Sequence, residues 1–211
     1  MKYFANITVV ALFGLTALLC GCDGGGDSGS SFDIGSNDPN VIVCIGDSIT
    51  QGYACEGAPY PSYLAALTGK SVRNGGIAGA QMHDGINSAQ AALGVKPGYM
   101  CIMYGSNDAI RERDIEEVVS SLTTIIELCR ANQTIPIVAL PPPQTGEHAI
   151  FNGKLDRINE AIKNTCDSLG VKCVDVNRAF GDTPEIYQTS DGLHPNAEGS
   201  QIIAQQFARC F

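Results

Sequence analysis

The stretch VIVCIGDSIT, residues 41–50, decides the fold. Val41 to Ile45 run without a polar break, and a short apolar run closed by a turn signal reads as a strand buried on both faces. It ends on Gly46, Asp47 and Ser48, small and polar residues at the carboxyl end of that strand. Ligands in mixed α/β proteins bind at such strand ends. Ser48 is therefore either a nucleophile or a turn residue capping the next helix.

Working outward, the same kind of run recurs at MCIMY (100–104), IPIVAL (135–140) and VKCVDV (171–176), with a shorter candidate at SVRNG (71–75). Helical patterns lie between them. Ile115, Val118, Val119, Leu122, Ile125, Ile126 and Cys129 fall at helical spacing within residues 114–132, with Asp114 as a plausible N-cap and Glu116 and Glu117 suited to the positive end of the helix dipole. Residues 150–169 repeat the pattern up to Gly170, and 197–210 form a final helix. Strands alternating with helices predict a parallel sheet covered on both faces. Neither GxGxxG nor GxxxxGK[ST] is present, so nucleotide binding has no support.

Small and polar residues follow each strand: Gly46-Asp47-Ser48, Asn74 to Gly79, Gly105-Ser106-Asn107-Asp108, Pro141-Pro142-Pro143 and, after a longer loop, Asp191 to Pro195. These residue types divide the labour of acyl transfer. A serine hydroxyl needs a base, and His194 can take the proton of Ser48. The imidazole needs a partner that fixes its tautomer, and Asp191 lies three residues away in a short turn. A developing oxyanion needs donors, available from the backbone N–H groups of Ser48 and Gly79 and the side-chain amide of Asn107. Gly75 and Gly76 are alternatives to Gly79. Asp47 is expected to bond local backbone N–H groups. Arg111 and Arg113 could contact a charged substrate or lie in a solvated loop. Tyr53, Tyr60 and Tyr104 could line the site, although Tyr60 and Tyr63 fit a helix packing face. His83 and His148 are expected at the surface or rim.

GDSIT (46–50), NGGIAG (74–79), GSND (105–108) and DGLH (191–194) resemble, in order, the four blocks of the SGNH/GDSL hydrolase superfamily. The resemblance covers residues 41–211. It implies a three-layer α/β/α flavodoxin-like fold with a five-stranded parallel sheet of order 2-1-3-4-5. It also implies Ser48 as nucleophile, Gly79 and Asn107 in the oxyanion hole, Asp191 and His194 completing a triad, and no cofactor. GxSxG is absent around Ser48, which argues against an α/β-hydrolase elbow.

The chain has 211 residues, 44% apolar and 17% charged, enough for one globular domain. Its net charge of −9, without a Lys/Arg cluster, makes it a poor nucleic-acid binder, and no nucleic-acid partner is expected. Residues 1–21 read as a signal peptide built on the largely apolar run ITVVALFGLTALL (7–19), too short to span a bilayer comfortably. LCGC (19–22) resembles a bacterial lipobox, which implies cleavage before Cys22, its acylation, and attachment to the membrane of the cell envelope. Residues 22–40, rich in Gly, Ser and Asp, would form a flexible tether reaching roughly 20–25 Å, and 41–211 the folded domain. Of the nine cysteines, seven lie beyond Cys22; an odd number leaves at least one free if the rest pair. Cys44 and Cys101 suit a core, and Cys166 and Cys173 are the nearest candidates for a bridge. No CxxC pair or Cys/His cluster suggests a metal site.

These readings combine into a membrane-tethered, monomeric serine esterase acting on short acyl esters of carbohydrates. The alternatives are a lysophospholipase or thioesterase for longer acyl chains, an acyltransferase to a sugar hydroxyl, and a non-catalytic glycan-binding lipoprotein.

Overall fold

A computed structural model describes residues 33–55 and 57–211. The expected signal peptide, Cys22 and most of the expected tether lie outside the described residues. In chain order the elements are β1 (Asp38–Gly46), α1 (Ser48–Gln51), α2 (Tyr60–Thr68), β2 (Ser71–Gly76), α3 (Gly85–Leu93), β3 (Pro97–Met103), α4 (Ser106–Ile110), α5 (Ile115–Ala131), β4 (Ile135–Leu140), α6 (Asn152–Leu169), β5 (Lys172–Asp175), α7 (Val176–Ala179) and α8 (Ala197–Ala208). The strands pair in parallel in the order β2-β1-β3-β4-β5. This is the expected order, and each crossover is filled by helix.

The two-residue period of the strands divides the core into two layers. Val43, Ile45, Met100, Ile102 and Val138 face α3, α5 and α6, where they meet Leu93, Leu122, Ile125, Leu155 and Ile158. Ile42, Cys44, Cys101, Met103 and Ile137 face the other way, against Tyr60, Leu64, Phe180, Ile203 and Phe207. Tyr60 stacks on Phe207 with ring centroids 5.5 Å apart. Tyr60 and Tyr104 are buried and belong to the core. As the spacing predicts, α5 buries Val118, Leu122, Ile125, Ile126 and Cys129. Its N-cap is Asp114, whose carboxylate accepts from the Glu116 N–H at 2.9 Å.

Several boundaries differ from the sequence reading. The fold begins before residue 41: β1 starts at Asp38, whose N–H donates to the Lys96 carbonyl at 3.0 Å, and β3 correspondingly starts at Pro97. The Asn37 amide is bonded to the carbonyls of Asn132 and Gln133, so residues 37–40 belong to the domain and not to a tether. Residues 146–151 form 3₁₀ turns and α6 starts at Asn152, whose side chain bonds both the N–H and the carbonyl of Gln144. β5 is shorter than expected, because Asp175 caps α7 through the Arg178 N–H. Cys166 and Cys173 stand side by side as free thiols flanking the Gly170 turn, unbridged.

Candidate active site

β1 ends at Gly46, and Asp47 then N-caps α1 by accepting the Ile49 N–H at 2.9 Å. This is the local role expected of Asp47. Ser48 is the first residue of α1, so its own N–H has no partner within the helix. Its hydroxyl lies 2.9 Å from Nε2 of His194, and Nδ1 of His194 lies 2.6 Å from Oδ2 of Asp191. Three side chains from opposite ends of the chain thus form one continuous relay. Ser48 is 6% exposed and His194 7%, whereas the Asp191 side chain is 38% exposed, so the relay is shielded from bulk water at its serine and histidine. The Tyr53 ring, 60% exposed, stands edge-on to His194 with centroids 5.3 Å apart. Of the three candidate tyrosines, it is the one at the site.

The turn carrying Asp191 and His194 is built by Asp191 itself. Its Oδ1 accepts from the N–H groups of Leu193 and His194, both at 2.9 Å, and from the Thr189 hydroxyl at 2.8 Å. Burial works against the charge of Asp191, but the His194 N–H, the His194 ring, the Leu193 N–H and the Thr189 hydroxyl together hold its carboxyl well below the usual range. It is ionised wherever His194 could serve as a base.

A second loop clamps that turn. The Thr145 N–H donates to the Gly192 carbonyl at 2.7 Å, and the Thr145 hydroxyl donates to Gln188 Oε1 at 2.6 Å. Gln188 Nε2 donates in turn to the Pro143 carbonyl at 2.6 Å, and His148 Nδ1 lies 3.0 Å from the Asp191 carbonyl. His148 therefore supports the relay from behind. Sequence reasoning missed Thr145 and Gln188, because a clamp made largely through backbone groups leaves no spacing to read. The one sequence signal is the Asp-Gly pair at 191–192, a turn marker.

The segment after β2 supplies the opposite wall. Gly75 and Gly76 pair with Ile45 and Gly46 in the sheet, and the Gly76 N–H is bonded to Asn74 Oδ1, so neither glycine offers a free donor at the strand end. Gly79 lies beyond the strand at φ +76°, a left-handed conformation that glycine adopts without strain. Among the hydrogen bonds of the described residues, the N–H groups of Ser48 and Gly79 are not engaged. Asn107, in the first turn of α4, directs its Nδ2 to the Ala80 carbonyl at 3.1 Å and to Asp47 Oδ2 at 3.4 Å. These bonds tie the ends of β1, β2 and β3 into one locus. Burial pushes the Asp47 carboxyl up to about 7, and it also raises Asp108, whose carboxylate accepts the Met82 N–H. Beside Gly79 opens a cleft of about 450 Å³, lined by Ile77, Ala80, Asp84, Asn87 and Ser88, that does not include Ser48 or His194. Among the described residues no group of three or more His, Cys, Asp or Glu side chains could hold a metal ion.

The arrangement can polarise a serine hydroxyl and present N–H groups to an oxygen that gains charge. Residues 44–202 match the model of the GDSL-like lipase/acylhydrolase family. The chain belongs to that family. It is a serine esterase of the GDSL type, and three solved structures share its fold. A protein assigned to the lipolytic G-D-S-L family from Desulfitobacterium hafniense is 26% identical with a TM-score of 0.73, covering 82% of this chain and 99% of its own. A GDSL-like lipase from Bacteroides thetaiotaomicron is 19% identical with a TM-score of 0.68, over 81% of this chain and 87% of its own. An acetylxylan esterase from Geobacillus stearothermophilus is 21% identical with a TM-score of 0.68, over 82% and 94%. At those two identities the likeness is one of fold. Comparison with curated proteins finds no match.

Proposed function

We propose that this GDSL esterase removes short acyl groups, acetyl above all, from carbohydrate esters through an acyl-Ser48 intermediate. The observation that carries the reading is the unbroken relay from Asp191 through His194 to Ser48, with both links at hydrogen-bond distance. Asp191 accepts the Nδ1 proton, which leaves the Nε2 lone pair facing the Ser48 hydroxyl. Ser48 attacks the ester carbonyl as its proton passes to His194. The carbonyl oxygen becomes an oxyanion, held by the N–H groups of Ser48 and Gly79 and by Nδ2 of Asn107. The longer of the two Asn107 bonds, to Asp47, is the one a substrate oxygen would replace. Collapse expels the alcohol, which takes the proton from His194. Water then enters with His194 as base, and the acid departs as Ser48 is restored.

The short-acyl part of the reading rests on the setting of Ser48. The Tyr53 ring stands against His194, and the neighbouring cleft is walled mostly by small side chains, Ala78, Ala80, Ser88 and Ala91, together with Ile77, Asn87 and Asp84. The acetylxylan esterase named above shows that this fold supports deacetylation of a glycan. The lipobox-like LCGC supports attachment to the membrane of the cell envelope through an acylated Cys22.

The test is hydrolysis of 4-nitrophenyl esters from acetate to palmitate by residues 33–211 and by its Ser48→Ala variant. The reading expects Ser48-dependent cleavage that is highest at acetate, with kcat falling by roughly 10⁴–10⁶ in the variant. A maximum at long chains would keep the mechanism and discard the substrate. Substantial turnover by Ser48→Ala would discard the mechanism.

A further inference from the structure

The cations of this acidic chain are few, and one of them stands at the oxyanion wall. Arg111 follows α4 directly, and its backbone N–H is bonded to the Asn107 carbonyl at 3.0 Å, so its Cα is fixed relative to Asn107. Its Nη1 donates at 3.2 Å to Oε1 of Gln81, a side chain only 2% exposed. Arg113 Nη2 donates to the same oxygen at 3.0 Å. Two guanidinium groups thus share one neutral acceptor. Because Oε1 faces both, the amide cannot be reversed, and Nε2 of Gln81 is left buried without a partner.

The two cations differ in how they are neutralised. Arg113 pairs with Glu117 at 3.0 Å, whereas Arg111 makes no ion pair among the described residues. Two nearby acids are otherwise engaged. Asp84 accepts from the Gln81 N–H and contacts His83, and Asp108 is buried on the Met82 N–H. The second guanidinium nitrogen of Arg111, Nη2, lies 3.6 Å from where a Cβ on Gly79 would be. A cation with unused donors therefore borders the backbone that would hold the oxyanion. A guanidinium fork with open N–H groups matches a carboxylate better than it matches a hydroxyl. On a surface of net charge −9 it is also the feature that would admit an anionic substrate instead of repelling it.

We infer that Arg111 is a specificity-determining residue and that the preferred ester carries a carboxylate close to the acyl group. This rests on the esterase reading above. The carboxylate has two possible sources, an acidic sugar on the alcohol side or a dicarboxylic acyl group. Gln81 acts as the positioning residue that aims Arg111.

The experiment compares kcat/KM for matched pairs that differ in charge. One pair is an acetylated methyl glucuronoside against the acetylated methyl glucoside, the other 4-nitrophenyl hemisuccinate against 4-nitrophenyl butyrate. The wild-type protein should prefer the charged member of one pair by about tenfold or more. Arg111→Gln should bring that ratio close to one, and Arg111→Lys should restore part of it. Added salt should also reduce it, because Arg111 is exposed. The pair that shows the preference identifies the source. Equal rates within both pairs for wild type, or a preference unchanged in Arg111→Gln, would overturn the inference.

Hydrolysis of 4-nitrophenyl acetate by wild type reports separately on the esterase reading. If no ester is cleaved, calorimetric binding of the acetylated glucuronoside and of succinate to wild type and Arg111→Gln still decides the role of Arg111. An affinity of either ligand that falls several-fold in Arg111→Gln supports it, and affinities unchanged in the variant, or no binding of either ligand, overturn it.

Discussion

The Thr145 N–H donates to the Gly192 carbonyl at 2.7 Å, and this bond fastens the turn bearing Asp191 and His194 to the loop that follows β4. Gly192 adopts φ +71°, and a Cβ there would run into the Thr145 carbonyl. Gly192→Ala should therefore strain the turn twice, by conformation and by collision. The left-handed conformation alone costs about 1–2 kcal/mol in an alanine, which lowers Tm by roughly 2–8 °C in a domain of this size. Displacement of His194 from Ser48 should lower kcat by about 10². Gly170→Ala supplies the control: φ is +62° with open space around the new Cβ, at the far end of α6. It should lose stability and keep kcat. If Gly192→Ala also keeps kcat, the clamp does not position His194.

Asn107→Ala tests the third oxyanion donor. The amide now bonds the Ala80 carbonyl and Asp47, so it holds the strand ends together as well as facing the site. The expected loss in kcat is roughly 10²–10³, with KM little changed, because the bond to substrate strengthens only as the oxyanion forms. A loss below about threefold, accompanied by a lower Tm, would confine Asn107 to its structural bonds.

Cys22→Ser tests the anchor in the full-length chain. If acylation of Cys22 holds the protein to the membrane, the variant should move from the membrane pellet to the soluble fraction in cell fractionation, with its esterase activity intact. An unchanged distribution would remove the lipobox reading, since a serine cannot take the thioether-linked lipid.

The sheet was legible because each strand is a run of apolar residues closed by glycine or polar residues, and burial on both faces demands that pattern. Ser48 and Asn107 were legible because each follows a strand end, and Asp191 and His194 because an acid and a histidine stand three residues apart in a turn marked by Gly192. The clamp was not, since Thr145 reaches Gly192 through backbone groups that every residue has. The start of β1 at Asp38 was hidden for a related reason: Asp38-Pro39-Asn40 has the composition of a loop, and only pairing with β3 makes it a strand. Among the tyrosines, sequence spacing could not separate Tyr53, which meets His194, from Tyr60 and Tyr104, which the two core layers absorb. The aim of Arg111 depends on Gln81, a contact between loops after different strands that no local spacing records.

Asp47 links the site to the pH dependence of stability. Burial lifts its carboxyl from an ordinary 3.8 to about 7 in the folded protein. Between those values the native state holds a proton that the unfolded chain has released. Its contribution to stability is therefore complete below about pH 4, declines as pH rises, and is lost above about pH 7, a change on the order of a few kcal/mol. Asp47→Asn keeps the oxygen that caps α1 through the Ile49 N–H but has nothing to ionise. Its amide would also face Nδ2 of Asn107, donor against donor, where Asp47 Oδ2 now stands at 3.4 Å. That cost applies at every pH and lowers the whole curve without tilting it. Asp108, also raised by burial, contributes the same sign of pH dependence in both proteins, and because its charge adds to the rise at Asp47, part of the change in slope belongs to the pair. Urea unfolding of wild type and Asp47→Asn at pH 5, 6, 7 and 8 should give a shallower decline for the variant, so that its disadvantage at pH 5 shrinks or reverses at pH 8. Parallel curves would mean that Asp47 ionises in the folded protein as it does in the unfolded chain.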